Sequence, residues 1–393
     1  MKYNFTEVVD RTDMIGSRWQ EMYELKGNIP PGTVPISSAD MDFELAPEIV
    51  DGLKNHINHT VFGYTEPNIA YFDSVVRWMK SKHNWQIDSN WVVPMPGIVA
   101  ALAVFIQEFS KPGDGVIIMD PVWPMFNEIP QRYSRKVVKN SLIIEDNEYR
   151  IDFKNLEKNA AKKENKILLF NNPHNPVGRV WTEKELIKLA QVCEEHNLLV
   201  FCDEVHEDLI YPGHTHVKLC EVSDYMRAHT IVATSPSKAF NLSGLCVSNI
   251  IISNCDLLER FKKKAEFLVL NKVNAMGLEA GKLAYNKAEP WLNNLLNLIN
   301  INRGLLNEII SSELPKAVVY PLEGTYLQWI NLNEYQLSSK KIHEKNIENN
   351  VFLTEGDIFG DIGEGFNRIN IATSTDKLTE TLERYTKGIS ELI

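Results

Sequence analysis

The chain has 393 residues, with 41 Lys and Arg against 52 Asp and Glu, for a net charge of −11. That length exceeds what one hydrophobic core usually organises, so a larger and a smaller domain are expected. The acidic balance argues against non-specific binding of nucleic acid or anionic membrane, and no run approaches the about 20 apolar residues that cross a bilayer.

The opening "MKYNFTEVVDRTD" has no apolar signal core. The five cysteines (Cys193, Cys202, Cys220, Cys246 and Cys255) form no C-x-x-C pair. Their odd count reads as reduced, cytoplasmic usage. Residues 1–45 show little periodicity and are expected to pack on the smaller domain. From 46 to 285 the texture is that of a large α/β domain. "PMPGIVAALAVFIQEF" (94–109) sets Pro96 and Gly97 before an apolar helix, whose free N–H groups favour phosphate. "GVIIMD" (115–120) is a short apolar strand, followed by "DPVWPMF", in which Trp123 stands between two prolines. An indole there either packs or stacks on a flat ring.

"KILLF" (166–170) reads as the next strand and leads into "NNPHNPVGR" (171–179). Its two Asn–Pro steps and glycine dictate a rigid non-helical turn, which holds the Asn175 amide above the sheet. "TEKE" at Thr182 to Glu185 is a capping box. Leu186, Leu189, Ala190 and Cys193 then form the apolar stripe of a helix. "LLVFCD" (198–203) ends at Asp203, a carboxylate that serves either as a cap or ion-pair member or at a site. "TIVAT" (230–234) precedes "SPSKAFNLSGL" (235–245), with Lys238 between hydroxyl-bearing residues, and "VSNIII" (247–252) follows. Strands without polar alternation, separated by helices, indicate a parallel sheet covered on both faces.

Residues 286–393 change character. A long helical pattern (291–311) is followed by "AVVYPLEGTYLQWINL", a helix, "VFLTEGDIFG", "NRINIAT" and a final helix, which is a smaller α+β domain. Three patterns are set aside. The histidines of "HTH" (214–216) and "HINH" (56–59) read as surface residues, so no metal is expected. "GEG" (363–365) lacks a dinucleotide-loop context. Asp40 and Asp42 either border a cleft or stabilise a turn.

Ligands of such sheets sit beyond the carboxyl ends of the strands. Gly97, Trp123, Asn175, Asp203, Ser235 and Lys238 all fall at strand ends or helix starts. Together they offer a phosphate cup, a stacking face, an amide, a carboxylate and an amine, an inventory that matches pyridoxal phosphate.

With "NNPHNPVGR", "CDEVHEDL", "SPSKAFNLSGL" and "GFNRINIAT" in that order, the chain resembles the aspartate-aminotransferase fold family, the fold type I pyridoxal-phosphate enzymes. "SADMDF" (38–43), "FGYT" (62–65), "HEDLIYPGHTH" and "EGTYLQW" resemble its cystathionine β-lyase / C–S lyase branch. The resemblance implies a seven-stranded-type sheet and a homodimer with shared active sites. It implies that Lys238 carries the cofactor, Asp203 pairs with the ring nitrogen and Asn175 bonds the ring hydroxylate. Trp123 would cover the ring, and His206, where relatives often have tyrosine, would brace it. Gly97, Ile98, Ser235 and Ser237 would hold the phosphate, with Tyr64 lent by a second subunit. Arg368 would grip the substrate carboxylate. Aminotransferases typically carry an arginine at the position of Cys246, and its loss shifts phosphate binding onto the other donors. The implied activity is α,β-elimination from cystathionine or related S-conjugates. Aminotransferase activity and a regulatory, PLP-binding interaction role are the alternatives.

Overall fold

The computed structural model describes residues 3–12, 14 and 16–393. Its strands are β1 (Val92–Met95), β2 (Gly115–Ile118), β3 (Lys136–Lys139), β4 (Ile143–Glu145), β5 (Glu148–Arg150), β6 (Asn165–Asn171), β7 (Leu199–Asp203), β8 (Thr230–Thr234), β9 (Ser248–Ile251), β10 (Val318–Val319), β11 (Leu327–Asn331), β12 (Thr354–Glu355) and β13 (Phe366–Asn370). Seven of them form the large sheet in the order β1-β9-β8-β7-β6-β2-β3. All residues of β1, β2, β8 and β9 are buried, as expected for a sheet covered on both faces by helices.

The sheet is mainly parallel, as expected, with one strand reversed. β2, β3, β6, β7 and β8 pair in parallel, but β9 runs antiparallel to both β1 and β8. Its "SNII" is as fully buried as its neighbours, and burial on both faces does not by itself mark a strand's direction.

The helix Glu183–His196 has both halves of its capping box, and its stripe of Leu186, Leu189, Ala190 and Cys193 is buried. The helix Ile98–Phe109 buries every residue from Ala101 to Ile106, which explains its lack of a polar face. Both Asn–Pro bonds of the 171–179 turn are cis, as is Asp120–Pro121.

A second, antiparallel sheet in the order β10-β11-β13-β12 belongs to a smaller C-terminal domain. The N-terminal segment is bonded to it. The Ile36 N–H donates to the Phe352 carbonyl at 2.7 Å, and the Asn370 N–H donates to the Ile36 carbonyl at 2.9 Å. The helix Ser17–Leu25 adds Trp19 and Met22 to an apolar cluster with Val34 and Phe352.

Candidate active site

Register brings the strand-end residues together. Asn171 of β6 pairs with Asp203 of β7, which pairs with Ala233 of β8. Adjacent strands lie about 4.8 Å apart, so the segments leaving β6, β7 and β8 emerge side by side. They open into a cavity of about 430 Å³. Gly97, Ile98, Trp123, Asn175, Asp203, His206, Ser235, Ser237, Lys238 and Arg368 all line it. Asp203 and Lys238, 35 positions apart, face one space.

Tyr64 does not join them. It lies between the helices Pro47–His59 and Ile69–His83 and is fully exposed. Ser38, Ala39, Asn171, Ile358 and Phe359 also line the cavity, and residue-type signals had not singled them out.

Gly97 caps the helix Ile98–Phe109 with φ +102°, a conformation open to glycine and strained for other residues. Gly97, Ile98 and Val99, at the start of this helix, all line the cavity. Ser235 is the N-cap of the short helix Pro236–Ala239. Its hydroxyl accepts from the Ser237 N–H at 3.0 Å and donates to the Val247 carbonyl at 2.6 Å. These two bonds fix the turn that presents Ser237 and Lys238.

The Lys238 ammonium donates to the Ala39 carbonyl at 2.8 Å. Burial lowers its pKa to about 8, with Arg368 pushing the same way and the Asp40 and Asp203 carboxylates opposing. Burial raises Asp203 to about 6, even though its Oδ1 accepts from the Val205 N–H at 3.1 Å. Asp203 makes no ion pair within 4.0 Å among the described residues. The His206 imidazole is held well below its ordinary range by burial, so it is neutral, and its Nδ1 has no hydrogen-bond partner among the described residues.

Arg368 arrives from β13. Its Nη1 donates to Asn175 Oδ1 at 3.1 Å, and its Nη2 donates to the Ser37 carbonyl at 3.1 Å and to Thr354 Oγ1 at 3.2 Å. The guanidinium lies 4.8 Å from the Phe359 ring centre. Burial lowers its pKa to about 10, still far enough above neutrality to keep the charge. Its Nε has no partner among the described residues.

One side reading changes. His216 is not a surface histidine. Its side chain is 3% exposed, its Nε2 lies 3.0 Å from the Asn172 carbonyl, and its ring meets that of His83 edge-on. His83, Glu207 and His216 bring possible ligand atoms within 4.8 Å of one another. Lys218 stands beside that cluster and pairs with both Glu204 and Glu207. Asp40 pairs with Arg11 and Arg18, and Asp42 pairs with Arg18.

The likeness to known proteins runs the length of the chain. The cystathionine β-lyase PatB of Bacillus subtilis (strain 168) is 33% identical over 98% of this chain and 100% of its own. The structure of cystalysin from Treponema denticola, which contains pyridoxal 5'-phosphate, superposes with a TM-score of 0.98 at 38% identity, covering all of both chains. The PLP-bound C–S lyase of Staphylococcus hominis, complexed with L-cycloserine, gives a TM-score of 0.90 at 28% identity over 98% of each chain. The sequence model for aminotransferase class I and II matches residues 32–384, a span that contains every cavity-lining residue named above. The chain belongs to the aminotransferase class I and II family.

Proposed function

We propose that the protein is a pyridoxal-phosphate-dependent carbon–sulfur β-lyase that cleaves cystathionine or related cysteine S-conjugates to a thiol, pyruvate and ammonia. The observation that carries this reading is the convergence of Lys238, Asp203 and Arg368 on one buried cavity, in a chain whose full-length relatives include lyases of that kind.

The residues present fit the cofactor. Asp203 is a buried carboxyl without an ion pair among the described residues, as a protonated ring nitrogen would require. His206 Nδ1 and Arg368 Nε are buried polar atoms without hydrogen-bond partners among the described residues. Asn175 and His206 would border the ring, Trp123 would cover it, and Gly97, Ile98, Ser235 and Ser237 would hold the phosphate. Bound pyridoxal phosphate supplies an electron sink conjugated to the amino-acid Cα. Asp203, ionised once it faces a cationic nitrogen, keeps the proton on that atom. Arg368 takes the substrate carboxylate in a bidentate clamp and so turns Cα towards Lys238. The Lys238 amine removes the Cα proton, a task suited to a base with pKa near 8. Apolar Trp123, Ile358 and Phe359 limit water around the reacting atoms.

A homodimer belongs to the same reading. Val61, Phe62, Tyr64 and Ile69 are strongly exposed, as are Phe267 and Val269. The Lys272–Glu66 pair at 2.6 Å holds the 60s loop close to the chain that follows Val269. An apolar surface of this kind gains by being covered, and covering it with a second copy would carry Tyr64 into the neighbouring site.

The family also holds transaminases, which share the proton removal at Cα. Pyruvate release from cystathionine by the cofactor-loaded protein, with no 2-oxo acid added, tests the lyase reading. Amino-group transfer that appears only when a 2-oxo acid is supplied would replace it.

A further inference from the structure

Residues 37–42 form a strap across the cavity, and their carbonyls are almost all in use. The Ser37 carbonyl accepts from Arg368 and from Thr354, and the Ser38 and Asp40 carbonyls both accept from Asn370 Nδ2 at 2.6 Å. The Ala39 carbonyl accepts from Lys238 Nζ at 2.8 Å and from the Tyr326 hydroxyl at 2.9 Å. Asn241, three residues beyond Lys238, bonds both the N–H and the carbonyl of Met41. The strap thus bonds to the two cationic side chains that the proposed reaction uses.

One buried side chain holds the strap from behind. Arg18, 1% exposed, lies on the helix Ser17–Leu25. Its Nε sits 2.9 Å from Asp40 Oδ1, its Nη2 pairs with Asp42 Oδ1, and its Nη1 donates to the Pro35 carbonyl at 3.0 Å. A planar fork can span carboxylates at i and i+2 of an extended segment, whereas an ammonium is a point charge. Arg11 supports Asp40 from the solvent side at 2.8 Å.

We propose that Arg18 is a positioning residue for the reaction. By clamping Asp40 and Asp42 it fixes the strap so that the Ala39 carbonyl receives the Lys238 amine, orienting that amine whenever it is not bound to the cofactor. The inference rests on Lys238 being the residue that carries the cofactor. Arg368 keeps Asn175 and Thr354 as partners if the strap loosens, so substrate affinity is less affected than the proton transfer. The charged and titratable groups that act on Lys238 are Asp40, Asp203 and Arg368, and His206 also faces the cavity. Ala39 and Asp40 both favour a protonated nitrogen at Lys238, so a freed strap lowers the pH at which the bound-cofactor absorbance titrates.

The test uses the cofactor-loaded protein and the variants Arg18→Met, Arg18→Lys and Asp40→Asn. Arg18→Met/Asp42→Asn is added because it leaves no orphaned buried carboxylate. Arg18→Met and the double variant are expected to lose at least tenfold in kcat, with KM within about threefold. Their absorbance midpoint should fall by half a pH unit or more at full cofactor content. Arg18→Lys should recover part of both, and Asp40→Asn should reproduce the midpoint shift. Unchanged kcat and midpoint in Arg18→Met overturn the proposal, as does a fall in activity matched by loss of cofactor content in every variant. A parent protein without a cofactor absorbance band would instead defeat the functional reading on which the proposal stands.

Discussion

Arg368 Nη1 donates to Asn175 Oδ1 at 3.1 Å, and this bond ties β13 of the C-terminal sheet to the turn that leaves β6 of the large sheet. The proposed substrate clamp is therefore set by both domains. Arg368→Lys keeps a charge but loses the fork. KM for the amino-acid substrate is expected to rise by ten- to a hundredfold, equivalent to roughly 1.5–3 kcal/mol for charge-assisted bonds, with a smaller change in kcat. Steady-state pyruvate release checks this, and a parental KM would remove Arg368 from carboxylate binding.

Lys238→Ala removes the amine from the Ala39 carbonyl and from the cavity. Turnover should fall by at least a thousandfold, while the remaining donors still retain cofactor non-covalently. Pyruvate assays paired with absorbance spectra read both effects. Normal turnover in this variant would defeat the assignment.

Asp203 carries a pH signature in the cofactor-free protein. Its carboxyl is raised by burial from 3.8 to about 6. Between those values the folded chain holds a proton that the unfolded chain has released. Stability is therefore present below about pH 4 and is lost as pH rises through about 6. A two-unit shift corresponds to about 3 kcal/mol. Asp42, raised to about 6 mainly by burial, adds in the same direction, so Asp203→Asn should remove only part of the decline. Urea unfolding of cofactor-free parent and variant from pH 4 to pH 7 measures it; equal slopes would contradict the burial argument.

Arg179 of "NNPHNPVGR" and Glu323 of "EGTYLQW" form a buried pair at 3.0 Å, and Glu323 also accepts from the Val180 N–H at 2.7 Å. Arg179→Met strands that carboxylate and should destabilise the fold by about 3–5 kcal/mol. Adding Glu323→Gln should restore part of the loss. Denaturant midpoints of the single and double variants decide the matter, and additive losses would rule out the coupling.

Phe62 and Tyr64 are expected to act across the proposed dimer. Phe62→Asp should yield monomers in sedimentation experiments and reduce kcat at low protein concentration. Tyr64→Ala should leave the dimer intact but weaken cofactor retention. A monomeric parent with full activity would dispose of the shared-site reading.

Residue types at strand ends were legible before any coordinates. Asp203, Lys238, Asn175 and Gly97 stand at or just beyond the ends of apolar runs, and a charged or polar side chain that is buried there needs a partner. The capping box at Thr182 was equally plain, since both partners lie within one helical turn. Ala39 was not. Its part is played by a backbone carbonyl, a group every residue has, and the contact spans 199 positions of chain to Lys238. His216 looked like a surface residue because nothing local marks the closeness of His83 and the Asn172 carbonyl. The direction of β9 was hidden for a related reason, since burial on both faces erases the alternation that distinguishes strand environments.

By itself the order of residues determined the alternation of strands and helices, the groups at the strand ends and the chemistry they can perform. Those follow from spacing and from the cost of burying polar atoms. Only the tertiary structure decided which carbonyl meets Lys238, which amide holds Arg368 and how Arg18 restrains the strap. These contacts join segments of chain brought together by sheet register and domain packing, and no local preference encodes such distances.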